Sequence, residues 1–382
     1  MKPVLILAAV LATVPVPPPA AACSFCGGNL ATQSTLRERF AQSKAVVLGT
    51  LKNPKFSDDR GAGTTDFHFD RVLKTDPVVA KLTAVTLPRY LPVIGKTPPA
   101  YLMFFDAADG KPDAVFGVSA SEPIQKYVAG LAALDPKQPG KRLAYYFDHL
   151  DSAETAVAED AFLEFAKTPD ADIVAAKAVL SPTKLQRLLL DPKTPPFRLG
   201  VFAMMLGLCG DATHAGTFAK LLAPPLTDAV AGNLGGILAG YAVTDPKAGW
   251  TAIRATLTDA KQPFAHRLSA MQAVQFFQAT RPKDYRRVVV DTYNLILPDP
   301  DLADIAIDDL RRWGWFDLTA DVLALYGKPT HAAPVYRKGI VRYALSCPEP
   351  TAKAFADAVR KAEPKLVADV EDGLKLLNAG EK

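Results

Sequence analysis

Apolar pairs recur along the later part of this 382-residue chain with a nearly constant step. Val201/Phe202, Ile237/Leu238, Met271, Ile305 and Ile340/Val341 lie 36, 34, 34 and 35 residues apart. A second set behind them, Phe218, Ile253, Val288, Val322 and Phe355, is spaced by 35, 35, 34 and 33. Apolar residues scattered at random do not keep two such series in phase, so the chain from about residue 160 is predicted to form stacked pairs of helices. Each pair buries its apolar face only against its neighbours, and arrays of this kind act through surfaces shared by several layers.

The start of the chain reads as an address. Lys2 is followed by an apolar stretch from Val4 to Val14, prolines between Pro15 and Pro19, and Ala20, Ala21 and Ala22. A basic start, a short apolar core and small residues predict a secretory signal peptide over residues 1–22. The apolar stretch is too short to span a bilayer, and no later segment approaches 18 uninterrupted apolar residues, so no transmembrane helix is expected in the mature chain. Removal of the signal makes Cys23 the new N-terminus, which raises a second reading, a lipid anchor at Cys23. Lipoprotein signals usually carry Leu three positions before that cysteine, where this chain has Ala20. Either way the protein is expected to be exported: periplasmic, on the cell surface or secreted.

The formal charge of 44 − 40 = +4 falls to +3 once Lys2 is removed. No run of five Lys/Arg occurs and aromatics are not interleaved with basic residues, which argues against nucleic acid as a partner. About 360 remaining residues exceed what one core usually serves, so two structural units are expected.

Residues 23–134 have the pattern of a small β-rich domain. Lys44–Leu51 and Thr64–Leu73 are rich in β-branched and aromatic residues, and the second alternates Phe67 and Phe69 with polar neighbours. Ala84–Val93, weakened by prolines, is a third strand; Ala100–Phe105 and Ala114–Ser119 flank the turn segment DAADGKPD as a hairpin. One helix is expected over Leu30–Gln42 and another from Ser121 to Leu134, with a serine cap and Glu in its first turn. Five strands and two helices suggest a small barrel. Residues 135–141, DPKQPGK, form the expected linker, and residues 142–380 the helical repeats, punctuated by short Asp/Pro/Gly breaks.

The recurring unit, an apolar first helix, an Asp/Pro-containing break and an apolar second helix, is seen in RLGVFAMMLGLCGD…FAKLL and RKGIVRYALSCPEP…FADAV. It resembles a HEAT-like α-solenoid over roughly residues 150–380, about six units. Ankyrin's T-P-L-H is absent, and the Trp/Gly/Tyr/Ala positions of tetratricopeptide units are not kept. CSFC at the mature N-terminus, FAQSKAVVLGTL and FHFDRVLK are similar to the netrin/tissue-inhibitor-of-metalloprotease type of OB-like domain. That family pairs its early cysteines with later ones inside the domain, whereas here no cysteine lies between Cys26 and Cys209. Together the resemblances imply a multidomain α and β chain, a small OB-like β-barrel followed by a HEAT-like α-solenoid.

Two clusters are candidates for function. Cys23 and Cys26, in Cys-x-x-Cys spacing, read as a redox pair, half a zinc site, an acylation site at Cys23, or a local disulfide. A structural zinc needs four ligands and a second such pair is missing; Gly27 stands where haem attachment needs His. Arg311, Arg312, Trp313, Trp315 and Phe316 lie at an inter-helix break, where they are either an exposed anchor for a partner or a plug in the core. Cys209 and Cys347 fall four repeats apart and are expected to remain thiols. Five scattered histidines make no metal-ligand spacing, and the cluster Asp299, Asp301, Asp304, Asp308 and Asp309 lacks the Gly and Glu of a calcium loop. No nucleophile elbow or phosphate loop occurs. The expected function is therefore a non-enzymatic scaffold, without catalytic residues, cofactor or metal, that binds a protein or cell-envelope component through its helical repeats. The alternatives are a thiol-disulfide or metal-handling protein using Cys23 and Cys26, and a netrin-like protease inhibitor.

Overall fold

A computed structural model describes residues 23–25, 30, 32–57, 62–93 and 98–380. The expected signal peptide and Cys26 lie outside the described residues. The chain divides into two compact units, one spanning residues 25–217 and the other built on residues 218–382.

The first unit opens with helix α1 (Leu36–Gln42). It starts at Leu36 rather than Leu30 because Thr35, in an extended conformation, forms a capping box: its hydroxyl accepts from the Glu38 N–H, and the Glu38 carboxylate accepts from the Thr35 N–H, both at 3.1 Å. Five strands follow, β1 (Ala45–Phe56), β2 (Gly63–Lys74), β3 (Ala84–Leu87), β4 (Ala100–Ala108) and β5 (Lys111–Ser119). They form one antiparallel sheet in the order β3-β2-β1-β4-β5. Alternate residues point inward, so Val47, Leu51, Phe67, Leu87, Met103 and Phe105 share one core.

The expected barrel is not closed. Strands β3 and β5 are the two edges, and no β3–β5 pairing occurs among the described residues. The strand expected over Ala84–Val93 ends at Leu87, because Pro88 and then Pro92 offer no N–H to a neighbouring strand. The β4–β5 hairpin is longer than expected. Ala108 pairs with Lys111, and Asp109 and Gly110 alone make the turn, with φ of 50° and 73°, the positive values a tight two-residue hairpin turn requires. In β1, Pro54 is accommodated by a register break between Lys52 and Lys55, where Asn53 takes φ 50°.

Beyond the sheet come α2 (Glu122–Ala132), α3 (Pro139–His149), α4 (Thr155–Ala166), α5 (Asp170–Ala175), α6 (Pro182–Leu190), α7 (Leu199–Cys209) and α8 (Ala215–Leu221). Helix α3 starts inside the stretch 135–141. The second unit contains α9 (Asp228–Ala231), α10 (Leu234–Thr244), α11 (Pro246–Thr258), α12 (Phe264–Thr280), α13 (Pro282–Ile296), α14 (Pro300–Trp313), α15 (Thr319–Leu323), α16 (Pro334–Ser346), α17 (Pro350–Ala362) and α18 (Pro364–Gly380).

Within this unit the helices pack in layers. α10 lies against α11 and α12, α11 against α13, α14 against α16, α15 against α17, and α16 against α18. Side-chain hydrogen bonds cross the layers at one repeat's separation: Arg254 to Thr292 (38 residues apart), Gln275 to Asp309 (34) and His331 to the Leu297 carbonyl (34). The same spacing appears in the first unit, at Ser121–Glu154 and Tyr127–Asp160 (33 each) and Gln186–Thr217 (31), so it is already present at α2. The two apolar series fall on α7, α10, α12, α14 and α16 and on α8, α11, α13, α15 and α17 respectively. Three members are out of phase by a residue or two: Ile305, Val288 and Phe355 are half-buried, while Ala306, Ile307, Val289 and Ala356 face the interior.

Candidate functional site

A cavity of about 770 Å³ lies in the first unit between β5, α1, α4 and the turn before α7. Phe116 and Val118 from β5, Leu36 from α1, Phe162 and Leu163 from α4, and Phe197 from the turn make its apolar part, and Gln33, Ser34, Glu159 and Asp160 add polar groups. Two arginines interrupt the apolar part. The Arg39 guanidinium sits 4.0 Å above the Phe116 ring, and that of Arg198 lies 5.2 Å from the Phe162 ring centre and 5.6 Å from that of Phe197. Arg198 is 6% exposed, and its Nε has no hydrogen-bond partner among the described residues. Burial lowers its pKa from the usual arginine range, with the exposed Glu159 at the rim acting in the opposite direction. Pro195 and Pro196 set the turn that places Phe197 and Arg198 side by side.

A buried polar clamp between α1 and α4 adjoins the cavity and shares Asp160 with its lining. Asp160 and Glu164, one turn apart on α4, are both buried and face α1. The Asp160 carboxylate accepts from the Leu36 N–H at 2.6 Å and the Tyr127 hydroxyl at 2.9 Å. Glu164 accepts a forked pair from Arg37 at 3.0 Å, and Lys167 donates to Glu38 and to the Gln33 carbonyl. Burial, reinforced by the charge of Glu164, raises the Asp160 pKa to about 6 against the pull of its two donors and Arg37. The sequence reading passed over these residues. Their signal was in AEDAFLEFAK, where acids stand at the i, i+4 and a base at the i+7 position of an otherwise apolar helix.

Of the residues singled out from sequence, Cys23 is buried and Cys26 lies outside the described residues. Trp313 ends α14, and Gly314, at φ 65°, reverses the chain: Gly314 N–H donates to the Arg311 carbonyl and Trp315 N–H to that of Leu310. Of the aromatics, Trp315 is buried and Trp313 and Phe316 are half-buried. The Arg286 guanidinium lies 5.0 Å from the Trp315 ring, Trp313 stacks on Tyr293 at 5.4 Å, and Phe316 meets Tyr343 edge-on at 5.3 Å. Arg311 and Arg312 both pair with Asp308, and Arg312 also with Asp309.

Four members of the acidic cluster on α14, Asp299, Asp301, Asp308 and Asp309, are paired with protein cations. Asp299 caps the helix, and the buried Arg267 pairs with Asp299 and Asp301. Asp309, 1% exposed, accepts from Gln275 (2.6 Å), Tyr293 (2.8 Å) and Arg312 (2.5 Å), and burial raises its pKa. No group of three His, Cys, Asp or Glu side chains among the described residues is placed to hold a metal ion. Cys209 and Cys347 are thiols; burial pushes Cys209 up to about 11.

A second opening, about 380 Å³, lies in the second unit between α14 and α16. It is lined by Ile305, Val335 and Gly339 together with Arg312, Lys338, Arg342, Asp304 and Asp308, and Asp308 pairs with Arg312 and Arg342. Val335 is 55% exposed, and a side chain at Gly339 would meet no atom within 4 Å. The Arg342 Nε is buried without a hydrogen-bond partner. No helix among the described residues is long and apolar enough to cross a membrane. No family model, curated protein or solved structure matches the chain.

Proposed function

We propose that the chain is an exported, non-enzymatic interaction protein, an OB-like sheet domain joined to a HEAT-like helical array that binds a protein or cell-envelope partner. The groove between α14 and α16 supports this reading most directly. It opens between the first helices of two adjacent layers, where a helical array offers a surface that no single layer has. Ile305 and Val335 supply an apolar contact, and Gly339 leaves room for a bound segment against the α16 backbone. Charged side chains of both signs flank the apolar strip, with Asp308 pairing to Arg312 and Arg342, so the fitting partner presents an apolar side chain with polar neighbours.

Gly339→Leu tests it. The new side chain fills open space on a helix, so the protein should fold with stability unchanged or raised by about 0.5–1 kcal/mol. A partner captured from an envelope fraction by the full chain should be lost or weakened at least tenfold by Gly339→Leu. Recovery of the same partner by both proteins would remove the groove from the interaction.

A further inference from the structure

From the cavity between β5, α1 and α4 we infer a binding site for a carboxylate-bearing amphiphile, its head group on Arg198 and Arg39 and its hydrocarbon tail against Phe116, Phe162 and Leu163. The apolar lining fixes half of the ligand. Aromatic and leucine side chains around about 770 Å³ favour an occupant that is itself largely hydrocarbon, and that volume is in the range of small-molecule sites.

The arginines fix the other half. Arg198 is 6% exposed and its Nε–H lacks an acceptor, so the Phe162 and Phe197 rings and the charge of Glu159 offset its desolvation only in part, and an entering anion supplies the missing acceptor. Arg39, resting on Phe116, places a second cation at the same cavity. Guanidinium forks match a carboxylate in geometry as well as charge. The acids on the lining do not take this role. Asp160 is already bonded to Leu36 and Tyr127, and Glu159 is exposed at the rim. This site is separate from the α14–α16 groove, and either can fail without the other.

Decanoate, decanol and decylamine share one tail and differ in the charge of the head, so titrating each into the full chain by calorimetry isolates the role of the arginines. Decanoate should bind with one-to-one stoichiometry, decanol at least tenfold more weakly, and decylamine not measurably. Arg198→Met should weaken decanoate at least tenfold while the thermal midpoint holds or rises, because an unpaired buried donor is removed. Arg39→Gln, at a half-buried position, should weaken it severalfold and decides the matter if Arg198→Met fails to fold. Equal binding of decanoate and decylamine, no binding of decanoate at millimolar concentration, or full affinity in the arginine variants would overturn the assignment.

Discussion

Asp160 is a carboxyl held in the folded chain at a cost. It titrates near pH 6 in place against 3.8 for the ordinary group. Between those values the folded chain keeps a proton that the unfolded chain has released, so this residue lowers stability as pH rises through the interval. The effect approaches 3 kcal/mol in total, of which about 1 kcal/mol falls between pH 5 and 7. His331, whose pKa burial lowers, acts in the opposite sense over the same interval, so substitution isolates the Asp160 share: in urea unfolding, stability at pH 5 minus that at pH 7 should fall by about 1 kcal/mol in Asp160→Asn. Glu38 and Asp151, held below their usual range by Lys167, Arg187 and Lys184, act in the opposite sense only at lower pH. Arg267 gives a second residue-scale prediction. It is 3% exposed and bonded to the Leu257 carbonyl, Asp299 and Asp301, so Arg267→Leu removes three acceptors' partner while solvent still reaches both carboxylates, and should cost about 1–2 kcal/mol in the same assay. Asp160 leaves a trace in the i, i+4 acids of an otherwise apolar helix, whereas a lone arginine such as Arg267 carries no mark of burial in a sequence. What makes them informative is a partner 124 or 34 residues away.

At the scale of the element, punctuation was the readable part. Pro begins α6, α11, α13, α14, α16, α17 and α18, and Ser181, Asp245 and Asp299 cap the helices they precede, as their side chains suit them to do. Strand ends were less readable, since whether β3 runs four residues or ten depends on whether a neighbour asks for the missing proline N–H. The hairpin illustrates the converse: in DAADGKPD only Asp109-Gly110 can turn, and the flanking Asp and Lys residues are drawn into the ladder by their register. The end of α14 supplies a prediction. Gly314 holds φ 65° in open surroundings, so Gly314→Ala introduces backbone strain without a clash and should cost about 1 kcal/mol in thermal unfolding. A neutral result would mean that the turn into Trp315 relaxes when strained.

For the whole molecule, the 34-residue period announced the layers but not what joins them. The final layer rests on Val341, Val359, Val367 and Val370, contributed by α16, α17 and α18. Val367→Asp should raise hydrogen exchange throughout α16–α18 and leave amides of the β-sheet unchanged, since stability in such arrays passes from neighbour to neighbour. Loss of protection spreading equally into the sheet would point to a single cooperative molecule. The hydrogen bonds that cross between layers differ at each junction: arginine on threonine from α11, glutamine on aspartate from α12, and histidine on a main-chain carbonyl beside α16. Each works as a lock cut for one key. Modules of such an array cannot be shuffled, duplicated or deleted as those of a consensus repeat can, because every transplanted layer would arrive facing a stranger.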